Sequence, residues 1–131
     1  MFSERDVVDS VDIQKRVRRW VESRLGVSAM DPHERAMRML EEATELAQAL
    51  GVSFAEFRAV GLHVYDKPPG EPMQEFGGAA LTLLACADGC GYILSECADT
   101  ELRRIENLPP DKFRKRQNEN AENGIGARVK S

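Results

Sequence analysis

Between Met73 and Ala87 the chain carries a single charged residue, Glu75. Glu71-Pro72 comes before this stretch, with the proline suited to a first helical turn, and Asp88-Gly89 ends or bends it. A helix that is apolar on nearly every side is buried on nearly every side. The segment therefore predicts a central helix that other helices must cover. Its Gly77-Gly78-Ala79-Ala80 run is costly in an isolated helix, and it lets another helix or a ligand approach closely.

The rest of the chain also reads as helix. From Val11 to Leu25, the residues Ile13, Val17, Trp20, Val21 and Leu25 recur at helical spacing, and Gly26 supplies a stop. Asp31-Pro32 opens a second helix, in which Asp caps, Pro fits the first turn and Glu34 sits near the positive end. Its apolar stripe is Ala36, Met39, Leu40, Ala43, Leu46, Ala47 and Leu50, and Gly51 ends it. Ser53 caps a short helix carrying Phe54, Phe57 and Val60, with Gly61 as its expected end. Lys67-Pro68-Pro69-Gly70 breaks the chain. Further helices are expected over Tyr92 to Ile105 and over Asp111 to Asn120, the last strongly basic. No strand alternation or internal repeat is present. The expected fold class is all-α, a helical bundle. Residues 1–120 form a single domain, followed by a loose, Gly- and charge-rich tail over 121–131.

A length of 131 residues allows one domain with a real core. With 42% hydrophobic and 31% charged residues, the chain reads as globular rather than disordered. A net charge of −4 gives no sign of a nucleic-acid-coating protein. No apolar run approaches the length needed to span a bilayer, and Met1 to Asp12 carry acids where a secretory leader has an apolar block. A cytoplasmic location follows as the expectation. Cys86, Cys90 and Cys97 are odd in number and read as reduced core residues. A zinc pair at Cys86 and Cys90 has neither His33 nor His63 nearby in sequence.

The acids Glu41, Glu42 and Glu45 interrupt the second helix. Residues three apart are helical neighbours, so Glu42 and Glu45 can address one object. Two carboxylates held that close repel unless one is protonated or a cation lies between them, and a hard divalent ion with oxygen ligands suits them. The plainer reading is a solvated face with Arg38–Glu41 and Arg38–Glu42 pairs. Glu75 admits two readings as well: a metal-bound acid facing the first helix across a bundle, or a first-turn acid favoured by the helix dipole. Lys112, Arg114, Lys115 and Arg116 offer phosphate contacts or simple solubility. Trp20 could stack on a nucleobase or pack in the core. Lys67 and Tyr65, beside the Pro-Pro-Gly turn, could close over a ligand or form an ordinary loop.

The order Leu40-Glu41-Glu42-Ala43-Thr44-Glu45-Leu46, then a connection, then the acid-bearing helix at Glu75 resembles the MazG-like all-α nucleoside triphosphate pyrophosphohydrolases. The stretch from Gly70 to Gly78, followed by Thr82-Leu83, is similar to a phage and bacterial branch of that group. The resemblance covers roughly Val17 to Asn118. It implies Mg²⁺-dependent hydrolysis (Mn²⁺ as substitute) of a nucleoside triphosphate to the monophosphate and pyrophosphate. Glu42, Glu45 and Glu75 match metal ligands, and Glu41 matches an acid that orients or deprotonates water. Lys67, Lys112, Arg116 and Trp20 are expected on the substrate side. Gly78 stands where the family has an Asp three residues after its second-motif Glu. Glu96-Cys97-Ala98-Asp99 spells that motif later than the family spacing expects. The resemblance also implies a homodimer or homotetramer, consistent with an apolar 73–87 helix that one short chain would not cover alone. Gly78 leaves room for a catalytically weakened nucleotide- or metal-binding module, and the solvated-face reading for a structural helical protein.

Overall fold

In the computed structural model, residues 4–126 are described, with side chains from residue 11. The chain is all-α, with no strand among the described residues. Helix α1 spans Glu4–Leu25, α2 Pro32–Ala49, α3 Phe54–Tyr65, α4 Pro72–Gly89, α5 Leu94–Glu106 and α6 Pro110–Glu122, with a 3-10 turn at Val27–Met30. No single described helix is long and apolar enough to cross a membrane.

The helix ends follow local chemistry. After α1 the chain turns at Gly26, whose φ of 87° lies in the left-handed region that glycine adopts without a Cβ clash. Asp31 accepts a hydrogen bond from the Glu34 N–H at 3.2 Å and so satisfies one orphan donor of α2. Ser53 and Glu56 form a reciprocal capping box at α3. The Glu71 carboxylate caps α4, accepting from the Gln74 N–H at 2.9 Å, and Pro72 occupies the first turn.

Helix α3 departs from the sequence expectation by running through Gly61 to Tyr65. Gly61 keeps helical geometry, and the stop falls where Pro68 disfavours helical backbone at the preceding residue.

The chain divides into two compact units, residues 1–42 with 101–131, and residues 43–100. In the first, Val21, Leu25 and Ala29 form a buried cluster, with Trp20, Met30 and Phe113 packed against it. Leu102 is buried as well. Trp20 of α1 meets Phe113 of α6 edge to face, and the Arg114 guanidinium donates to the Arg24 carbonyl at 2.8 Å. The Arg16–Glu106 ion pair, at 2.6 Å, ties α1 to the end of α5.

The second unit corrects the expectation for α4. No residue of 43–100 is buried, and Phe76 of α4 is 78% exposed. Met73, Leu81 and Leu84 on α4, and Phe54, Val60 and Leu62 on α3, are exposed too. The apolar stripe of α2 forms as a helix, but Met39, Leu40, Leu46 and Leu50 remain open. Apolarity specifies that a helix seeks cover, not that its own chain provides it. The cysteines follow suit: Cys86 is half-buried and Cys90 and Cys97 are exposed, so the core reading fails for them.

Candidate metal and phosphate site

Helical spacing sets the acidic triplet. Glu41 and Glu42 lie on the second half of α2, and Glu45 follows one turn after Glu42 on the same side of the helix. Glu42 and Glu45 are exposed.

Glu41 has a different environment. Its side chain is 20% exposed, and it faces α6 within the first unit. Asn120 Nδ2 donates to Glu41 Oε2 at 2.9 Å, and Arg116 Nη2 stands 3.7 Å from Oε1. Arg38 reaches both neighbouring acids. Its Nη1 lies 2.9 Å from Glu41 Oε2, a close charge contact without hydrogen-bond alignment, and its Nη2 donates to Glu42 Oε1 at 2.5 Å. Between α2 and α6, Glu34, Met37, Arg38, Glu41, Gln117, Asn120 and Ile125 line a narrow groove. Arg35 lies on α2 one turn before Arg38. Burial, then repulsion from Arg38, pushes its guanidinium below the usual arginine value, while Glu34 pulls the other way. Its Nε and Nη2 are buried without a hydrogen-bond partner.

The remaining predicted residues lie outside α2. Glu75 lies exposed in the first turn of α4, where the dipole favours an acid. Its carboxylate folds back over Gly70 so closely that a Cβ there would collide with it. Lys67 is exposed in the turn after α3, its N–H donating to the Val64 carbonyl at 3.2 Å. Lys112 and Arg116 lie one turn apart on α6. Trp20 packs on Phe113, as its core reading expected, and its Nε1 has no partner.

Among the described residues, the three acidic or imidazole groups close enough to share one ion are Asp31, His33 and Glu34. Neither Glu45 nor Glu75 belongs to that group. Asp31 is already engaged as the α2 cap, and Glu34 meets Gln117 Nε2 at 3.5 Å. The cluster is accounted for by capping and by the α2–α6 contact. Its sequence signal was the Asp-Pro-His-Glu run at a helix start.

The donor set at Glu42 and Glu45 fits Mg²⁺ chemically. Both offer exposed carboxylate oxygens one helical turn apart, and a Mg²⁺ shell ordinarily keeps several waters. Sequence reasoning placed these two on one face but missed the engagement of Glu41 by Asn120 and Arg116. Comparison with protein-family models, curated proteins and solved structures gives no match for this chain.

Proposed function

We propose that this chain is a Mg²⁺-dependent nucleoside triphosphate pyrophosphohydrolase, acting as a homo-oligomer. The observation that carries the reading is the exposed Glu42–Glu45 pair on α2, with the basic helix α6 held against the same helix through Glu41. Carboxylates for a hard cation beside lysine and arginine for phosphate are the parts that phosphoryl transfer needs. A bound Mg²⁺ supplies Lewis-acid polarisation of the phosphate and a more acidic water. Glu42 and Glu45 would hold the ion, and the family resemblance adds Glu75 to that set. Lys112, Arg116 and Lys67 offset triphosphate charge, and Trp20 lies behind α6 as a packing residue. Glu41 orients the water once its α6 partners release it. In the overall reaction, a water oxygen bonds to phosphorus and the P–O bond of the α–β bridge breaks. Pyrophosphate and the monophosphate separate.

The apolar residues left open on α2, α3 and α4 support assembly. A 12-residue helix such as α3 is marginal in water without packing, and Gly77 and Gly78 weaken the 18-residue α4. Burying one large apolar side chain contributes about 1.5–3 kcal/mol. A second copy of the chain offers matching faces under two-fold symmetry.

A second reading, a binding module with weakened catalysis, draws on two observations. Gly78 offers no ligand, and Glu41 is held by Arg38, Arg116 and Asn120.

The deciding experiment is turnover with Mg²⁺ over ribo-, deoxy- and modified triphosphates, with monophosphate and pyrophosphate resolved. Pyrophosphate release that disappears in Glu42→Gln and Glu45→Gln is expected. Metal-dependent nucleotide binding without release selects the binding module. Neither binding nor release from a folded chain refutes both.

A further inference from the structure

Arg38 touches two acids of the triplet at once, through Nη1 to Glu41 and Nη2 to Glu42. Its own side chain is 26% exposed, so water screens it less than a typical surface arginine. Arg35, one turn earlier, repels it. The two acids differ in what they keep if Arg38 moves. Glu41 retains Asn120 and Arg116. Glu42, 58% exposed, has Arg38 as its partner and is open to solvent on its other side.

We infer that Arg38 is a displaceable counter-cation: it neutralises Glu42 until a divalent cation takes that carboxylate, and then turns its guanidinium to the anion the cation carries. This rests on reading Glu42 as a cation ligand. A guanidinium and a dication sharing one carboxylate repel. At about 6 Å in bulk water that repulsion equals roughly a tenfold loss of cation affinity. Removing the guanidinium lifts that opposition. Its planar fork of donors, once released, matches a phosphate edge. Arg38 therefore acts with opposite sign on the two ligands: it weakens the cation taken alone and strengthens the cation–polyphosphate complex. A residue that merely props up α2 weakens both when removed.

The test uses the full chain, with Mn²⁺ followed by electron paramagnetic resonance and inorganic tripolyphosphate as the anion. Arg38→Gln is expected to bind Mn²⁺ about five- to tenfold tighter. Mn²⁺-dependent tripolyphosphate binding is expected to weaken several-fold in the same variant. Arg38→Lys keeps the charge but spans only one carboxylate, so its Mn²⁺ affinity should fall between the two, and it carries the test if Arg38→Gln loses helical signal. Mn²⁺ affinity unchanged or weaker in both variants, while Glu42→Gln still impairs the wild-type site, overturns the inference and leaves the metal site standing. Mn²⁺ binding indifferent to Glu42→Gln removes Glu42 as a ligand, and with it both this inference and the proposed metal site.

Discussion

The Phe113 ring stands nearly perpendicular to the Trp20 indole, with centroids 4.7 Å apart, and this contact joins α6 to α1. Edge-to-face pairs add about 0.5–1.5 kcal/mol beyond the area they bury. Phe113 also rests on the cluster of Val21, Leu25 and Ala29. Phe113→Ala should therefore destabilise the first unit by roughly 2–3 kcal/mol, somewhat less than a fully buried phenylalanine, because the site is only partly enclosed. Trp20 is the only tryptophan, so urea unfolding followed by its fluorescence reads this contact directly. The native emission should also shift red in the variant. An unchanged midpoint and unchanged emission would show that α6 does not depend on the pair.

Helices α3 and α4 expose apolar side chains that call for cover. If copies of the chain supply it, apparent stability is linked to association and the melting temperature rises with protein concentration. Leu84→Glu places a charge on the open face of α4. It should shift sedimentation toward monomer and cost several kcal/mol of dimer stability, while leaving the Trp20 signal of the first unit native. A sedimentation profile that stays monomeric in the wild type at high micromolar concentration sinks the prediction.

The Trp20–Phe113 contact and the open face of α4 show what a sequence can and cannot specify. The ends of α1, α2, α3 and α4 were legible wherever a single residue imposes its geometry: Gly26, Pro32 with Asp31, Ser53, and Pro72 after Glu71; the part of Glu56 in the α3 cap was not read. The exception, Gly61, shows that glycine permits a stop without requiring one. The exposure of α4 was not legible, because hydrophobicity states a demand and the element that meets it is not encoded locally. The Glu42–Glu45 face was legible from helical period alone. The hold of Asn120 and Arg116 on Glu41 was not, since it depends on α6 docking beside α2 through residues remote in sequence.

The capping box of α3 gives a pH-dependent prediction. The Ser53 N–H donates to Glu56 Oε1 at 3.0 Å, and Glu56 N–H donates to Ser53 Oγ at 3.1 Å. The bond from the Ser53 backbone, then that from its side chain, holds the Glu56 carboxyl below its ordinary value of 4.5. A folded pKa below the unfolded one means that the contribution is present above the unfolded value. It is lost as pH falls from about there through the folded value. Glu56→Gln should therefore lower stability at neutral pH, where the ionised carboxylate contributes, and converge with wild type as pH falls below 4.5, flattening the acid limb. Ser53→Ala should cost about 1 kcal/mol at neutral pH, read as lost helical signal in a thermal scan. An acid limb identical in wild type and Glu56→Gln would show that the box does not persist in solution.

Glu41→Gln separates the two roles open to this residue. A neutral amide can still accept from Asn120, but it no longer compensates Arg38 and Arg116 beside it. Because the Glu41 side chain is 20% exposed, the loss should exceed that of a surface ion pair, at roughly 1–2 kcal/mol. Amide exchange over α6 should accelerate, since Glu41 connects α2 to that helix. If Glu41 serves only as this fastening, Mn²⁺ affinity and triphosphate turnover stay within about twofold of wild type when measured well below the melting temperature. If it also orients water, turnover falls by about 10²-fold or more while Mn²⁺ affinity holds. Faster α6 exchange belongs to both outcomes, so it reports the contact. The ratio of turnover to Mn²⁺ affinity then assigns or withdraws the catalytic role of Glu41.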